Sequence, residues 1–168
     1  MGATGLRPHA VVLETRMSAN DLPAGFVWAN MVPELLVSDL DASLHFWCDL
    51  CRFSAAYERP EDRFAYLDRA GRQVMLEEVM APGRRWVTGP LERPFGRGVN
   101  FQITLDDVSP ILSGLKAAAW PLFLEPEEVW YRAGTREIGV RQFLVQDPDG
   151  YLVRFSQELG IRPVEAVV

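Results

Sequence analysis

The sequence predicts an α+β fold made of two repeated βαβββ modules, whose curled mixed sheets form a concave cleft with the helices outside. Two recurrences carry this reading. Val37-Ser38-Asp39-Leu40, ahead of a helical pattern, returns as Leu105-Asp106-Asp107-Val108 ahead of another, at an offset of 68 residues. Asp68-Arg69-Ala70-Gly71, ahead of the run Gln73-Val74-Met75-Leu76, returns as Asp147-Pro148-Asp149-Gly150 ahead of Tyr151-Leu152-Val153-Arg154-Phe155, at an offset of 79. Halves of a 168-residue chain are marginal alone, so the two modules are expected to pack on each other.

Residues 1–26 show no sustained period and carry two prolines and three glycines, so they read as a flexible N-terminal arm, with Met17 an alternative start. A single domain is expected over 27–158: module one at 30–80, a linker at 81–98 and module two at 99–158, with a tail at 159–168. Module one opens on a strand from Met31 to Val37. Asp39 is an N-cap, and Leu40, Leu44, Trp47 and Leu50 are spaced along one helix face. Strands near 54–58, 63–68 and 73–79 follow, the last two joined by a tight turn at Ala70-Gly71. The linker is rich in Pro, Gly and Arg yet contains Trp86 and Phe95. Module two repeats the order, with a strand at 99–105, a helix at 108–119 and strands at 121–125, 138–146 and 151–157. The Asp147–Gly150 turn joins its last two strands. A longer connection from Glu125 to Glu137 accounts for the change of offset.

Hydrophobic residues make up 48% and charged residues 24% of the chain, and no apolar run approaches the ~20 residues that cross a bilayer, so a globular protein in water is expected. A net charge of -6 argues against nucleic acid, which asks for a basic face, and favours a cationic partner. The first 24 residues are broken by Arg7, His9, Glu14, Arg16, Asn20 and Asp21, unlike a signal peptide, so a cytoplasmic location is expected. Cys48 and Cys51 form a CxxC without further zinc ligands and read as small apolar residues at a helix end. His9 and His45 read as surface side chains. No nucleophile elbow, Ser or Cys triad, or phosphate loop occurs.

The pattern Val37-Ser38-Asp39-Leu40-Asp41 with Ser43-Leu44 and Phe46-Trp47, and Asp147-Pro148-Asp149-Gly150-Tyr151-Leu152-Val153 before the last strand, resembles the vicinal oxygen chelate superfamily. That group includes glyoxalase I, extradiol dioxygenases, fosfomycin-resistance enzymes and bleomycin-resistance proteins. The likeness covers about residues 30–158. Met31-Val32-Pro33-Glu34-Leu35, Phe46-Trp47 and Arg141-Gln142-Phe143 look most like the bleomycin-resistance proteins.

Strand alternation assigns faces within such a fold. Val99, Phe101, Ile103 and Leu105 belong under the helix, leaving Asn100, Gln102 and Thr104 in the cleft. Val32, Glu34 and Leu36, then Met75 and Glu77, then Leu152, Arg154 and Ser156 share the cleft side. The resemblance implies metal ligands early on each module's first strand and midway along each last strand, and those places fall on Val32, Asn100, Met75 and Arg154. That set offers one amide and one cation, so no metal and no other cofactor is expected. A one-residue slip in register would exchange the faces, and a shift of two would bring in Glu34 and Glu77.

Tyr57, Phe64, Trp86, Phe95, Trp130 and Tyr131 fall on strand edges or loops, where flat rings can meet a ligand. Phe64 and Trp86 are expected as stacking walls. Glu34 and Glu77 are read as a source of negative field, as candidates for acid-base catalysis through a pKa raised in an apolar cleft, as solvated carboxylates, or as partners of Arg154. Where bleomycin-resistance proteins can carry a stacking Trp before Arg141-Gln142-Phe143, this chain has Gly139, with Trp86 or Trp130 as substitutes. The functional expectation is a metal-free small-molecule binding protein of the bleomycin-resistance type, a homodimer with clefts at the subunit interface. Its ligand is expected to be planar and cationic, bound by Glu34, Tyr57, Phe64, Met75, Glu77, Trp86, Asn100, Gln102, Arg154 and Ser156, with no catalytic residue. The alternatives are a metal-dependent lyase, dioxygenase or thiol transferase, and a degenerate member acting as an interaction module.

Overall fold

A computed structural model of the chain describes residues 22–81 and 86–164. Most of the expected arm lies outside the described residues. The elements are β1 (Glu34–Val37), α1 (Leu40–Leu44) running on as a π-helical turn (His45–Leu50), β2 (Ser54–Arg59), a 3-10 turn (Pro60–Asp62), β3 (Phe64–Arg69) and β4 (Arg72–Glu78). The second set is β5 (Asn100–Leu105), α2 (Ser109–Ala117), β6 (Leu122–Ala133), β7 (Arg136–Gln146) and β8 (Leu152–Pro163). Two four-stranded mixed sheets result, in the orders β1-β4-β3-β2 and β5-β8-β7-β6. The first strand of each pairs in parallel with the last, Glu34–Val37 beside Met75–Glu78 and Asn100–Leu105 beside Leu152–Gln157. The sequence repeat is therefore a repeat of topology.

Local chemistry explains the boundaries. The Asp39 side chain accepts the backbone N–H of Ala42 at 3.0 Å, capping α1. Ala70 and Gly71 both adopt positive φ, at 50° and 83°, the requirement of a two-residue hairpin turn. Asp147 Oδ1 accepts the N–H groups of Asp149 and Tyr151 at 3.0 and 2.9 Å, which fixes the turn before β8.

One core serves both modules. Leu35, Val37, Trp47, Leu67, Val74 and Leu76 from the first join Ile103, Ile111, Leu115, Phe143, Val153 and Phe155 from the second in a single buried cluster on the helix side of both sheets. Trp47 and Phe46 belong to this core, as the helix period implies. Cys51 is buried there and Cys48 half-buried, both as free thiols, and burial pushes the Cys51 thiol far up. His45 lies on the surface with its Nδ1 2.8 Å from an Asp49 carboxylate oxygen.

Three expectations need correction. Residues 125–137 are not a loose connection: β6 and β7 run out to Ala133 and Arg136 in one long ladder, and the turn is Gly134-Thr135. Two register shifts in β6, between Leu122 and Glu127, accommodate Pro126 there. The tail does not begin at residue 159, because β8 pairs with this extension as far as Pro163. The described part of the linker is packed: the Phe95 backbone N–H donates to the Asp149 carbonyl at 2.8 Å, and the Phe95 ring meets Tyr151 edge-on at 6.0 Å. A Cβ on Gly96 would stand 2.5 Å from the Tyr151 ring.

Candidate functional site

On each sheet the face away from the shared core is the concave one expected from alternation. The candidate residues fall on it in two patches, one per sheet.

The first patch is aromatic and acidic. Ala56, Phe64 and Tyr66 form a second buried cluster, with Phe26, Val32, Tyr57 and Met75 packed against it. Tyr57 and Tyr66 stack at 5.3 Å and 18°. Trp28 stands edge-on to both, at 6.1 and 5.1 Å, and remains 53% exposed. Phe64 is only 2% exposed, with the Arg59 guanidinium 3.8 Å above its ring, so it is a wall of the cluster and not of an open groove. Glu34 and Glu77 reach the same face from β1 and β4, and Glu77 is buried. Partial burial, then the hydrogen bond and the charge of Glu77, raise the Glu34 carboxyl above its ordinary value, against the pull of Arg59. The Glu34 and Glu77 side chains thus hydrogen-bond to each other, and Arg154 donates instead to Gln102.

Residues 26–29 lie across this patch, a feature the sequence reading missed. Gln73 pins them: its Oε1 accepts the Ala29 N–H at 2.7 Å and its Nε2 donates to the Val27 carbonyl at 2.8 Å. The Tyr66 hydroxyl donates to the same Oε1 at 2.7 Å. A glutamine with cleft-side parity on a strand was the available signal, but its partners are distant in sequence.

The second patch is polar. Asn100 and Gln102 from β5 lie beside Leu152, Arg154 and Ser156 from β8. Arg154 donates to the Gln102 side-chain oxygen, and Gln102 Nε2 to the Ser156 hydroxyl at 3.4 Å. Ser156 is buried and also meets the Thr104 hydroxyl at 3.3 Å. A cavity of about 240 Å³ opens here, lined by Gln102, Tyr131, Val140, Gln142 and Arg154. Gln142 and Tyr131 matter more to it than Asn100, which sits at the exposed end of β5. Trp86, in the linker, is 70% exposed.

Gly139 carries Trp130 directly over it: a Cβ there would stand 2.8 Å from the indole, whose ring holds the Arg162 guanidinium at 4.1 Å. Trp130 alternates with Tyr131 and so points to the other face of β6, away from the cavity. It does not replace a cleft tryptophan.

The four positions implied for metal ligands do not fit a metal. Val32 and Met75 are apolar side chains packed on the aromatic cluster, Arg154 is a cation bonded to Gln102, and Asn100 supplies a lone amide. Among the described residues no group of three or more His, Cys, Asp or Glu side chains comes together.

Residues 28–155 match the Glyoxalase family, described as the Glyoxalase/Bleomycin resistance protein/Dioxygenase superfamily. The chain belongs to this superfamily. A solved member from Vibrio splendidus 12B01 is 37% identical, covering 75% of this chain and 95% of that one, with a TM-score of 0.35. TioX from Micromonospora sp. ML1 is 23% identical over 77% of this chain and 98% of its own, with a TM-score of 0.61. Lactoylglutathione lyase from Agrobacterium tumefaciens is 20% identical over 77% and 92%, with a TM-score of 0.52. These last two share the fold. No curated protein matches the chain. No described helix is long and apolar enough to cross a membrane.

Proposed function

We propose that this protein binds a small organic molecule on its concave faces without a metal, in the manner of a sequestering protein of the bleomycin-resistance type. The observation that carries this reading is the chemistry at the four ligand positions: two apolar side chains locked into an aromatic cluster, an amide and a guanidinium. What those faces offer instead is recognition. One presents stacked tyrosines, Trp28 and the adjacent Glu34 and Glu77 carboxyl groups, suited to a flat cationic group. The other presents amides, hydroxyls and Arg154. The proposal includes a symmetric homodimer in which the aromatic face of one copy closes over the polar face of the other, making two equivalent clefts.

Plasma emission spectrometry on purified protein is expected to find far less than one metal per chain. About one zinc, nickel, manganese or iron per chain would sink the metal-free reading. Light scattering at micromolar concentration is expected to give twice the 18.9 kDa chain mass. A bleomycin-class cation should quench tryptophan emission, and the absence of quenching at high micromolar concentration counts against sequestration of such a drug.

A further inference from the structure

Arg154 differs from five other arginines of the described residues. Arg59, Arg63, Arg93, Arg97 and Arg162 each meet a carboxylate at 3.2 Å or less. Among the described residues Arg154 meets only the Gln102 amide oxygen, and its Nε is buried with no hydrogen-bond partner. A buried donor on a cation, left unmade, is costly, and it asks for an acceptor that the described residues do not supply.

A second donor converges on the same cavity. Gln142 is buried, and its Nε2 donates to Glu127 at 2.8 Å and to the Tyr131 hydroxyl oxygen at 2.8 Å. Glu127 is an acceptor and so fixes the orientation of the Gln142 amide. Because the Tyr131 oxygen already accepts, its own O–H is left to donate elsewhere. Tyr131 and Arg154 both line the 240 Å³ space. Glu127, the carboxylate behind Gln142, has its facing oxygen engaged by that amide.

We propose that this pocket is an oxyanion subsite: Arg154 N–H groups and the Tyr131 O–H together bind a carboxylate or phosphoryl group of the ligand. The inference deepens the binding reading and rests on it only in taking the concave face as the ligand surface. Combined with the acidic aromatic patch, it makes the preferred ligand zwitterionic, with its cationic plane on one face and its oxyanion on the other. The guanidinium fork and hydroxyl match the planar, two-oxygen geometry of a carboxylate.

The test is calorimetric or NMR titration of the full chain at low salt with benzoate, inorganic phosphate and benzamidine as separate probes. Benzoate is expected to bind. Arg154→Met should weaken it more than tenfold, Tyr131→Phe several-fold, and Arg154→Lys should retain part of it, while benzamidine binding is unchanged in all three. Phosphate binding more tightly than benzoate supports the subsite and assigns it to phosphoryl groups. If Arg154→Met does not fold, Tyr131→Phe and Arg154→Lys read the same contacts. Benzoate and phosphate both failing while benzamidine binds overturns the subsite and leaves the cationic reading standing; benzoate binding without benzamidine does the reverse. Equal benzoate affinity in wild type and Arg154→Met also overturns it.

Discussion

Asp149 and Arg93 join the two modules: the guanidinium donates to one buried carboxylate oxygen at 2.8 Å, and the other oxygen accepts the backbone N–H of Ser38, from module one, at 2.8 Å. Arg93 also reaches the Ser38 hydroxyl. A turn in module two, a linker side chain and the strand-to-helix corner of module one thus share one carboxylate.

Asp149→Ala removes that acceptor and leaves the Ser38 N–H unpaired, a loss of about 1–3 kcal/mol. Arg93→Ala is expected to cost less, because the Arg93 side chain is 59% exposed whereas that of Asp149 is fully buried. Urea unfolding of the two variants checks the order, and equal costs would contradict it.

The Asp147 carboxyl gives a pH dependence. Burial raises it to about 6, against the pull of the Tyr151 and Asp149 N–H groups; the Trp47 indole attracts it weakly from outside hydrogen-bonding geometry. In the unfolded chain the group ionises near its ordinary value, about pH 4. Between about pH 4 and 6 the unfolded state therefore sheds its proton while the folded state keeps it, and stability falls as pH rises through that window. The full penalty above it is on the order of 2–3 kcal/mol. Glu34, also raised, acts in the same direction. Asp147→Asn keeps an acceptor oxygen for both N–H groups and does not ionise, so the variant's stability should fall less between pH 4 and 7 than wild type. Parallel slopes for the two proteins would assign the dependence elsewhere.

Phe64→Ala separates packing from ligand contact. With the ring 2% exposed, the substitution opens a cavity and should cost about 3–5 kcal/mol of stability. Trp86→Ala, at a 70% exposed side chain, should cost less. The urea midpoints decide it.

Gly139→Ala places a methyl group 2.8 Å from the Trp130 indole, which must move and carry the Arg162 contact with it. A destabilisation of about 1–3 kcal/mol with a shifted Trp emission maximum is expected. An unchanged spectrum would mean the hairpin end tolerates the shift.

The repeat, the strand faces and the shared core were legible because alternation and helix period act over neighbouring residues. Val37, Leu67, Val74 and Val153 mark the core side wherever the ladder is regular. The strap at 26–29 was not legible: Phe26 and Trp28 follow no period, and their meaning comes from Gln73, more than 40 residues away. The β6–β7 extension was hidden by Pro126 and by the charges of Glu125, Glu127 and Glu128, which read locally as loop. Gly134-Thr135 between Trp130-Tyr131 and Ile138 was the hairpin signal available there. Parity places Phe64 on the concave face but does not reveal that Arg59 and Tyr57 pack on its ring.

Burial and the neighbouring Glu77 raise the Glu34 carboxyl, so a cation approaching the aromatic face competes with the proton on Glu34 for that carboxylate. Binding of a planar cation should therefore weaken as pH falls through the raised Glu34 range, and weaken with added salt. Glu34→Gln combined with Glu77→Gln removes both ionisable groups, and should flatten the pH and the salt dependence together while lowering affinity. Trp28, edge-on to Tyr57 and Tyr66 and half exposed, is the reporter: its emission should be quenched on binding, and Trp28→Phe should lose most of that signal. If the double variant keeps the wild-type salt slope, the cation is held by the rings alone. If Trp28→Phe keeps the full quench, the cation sits nearer another of the five tryptophans and the aromatic patch is not its site.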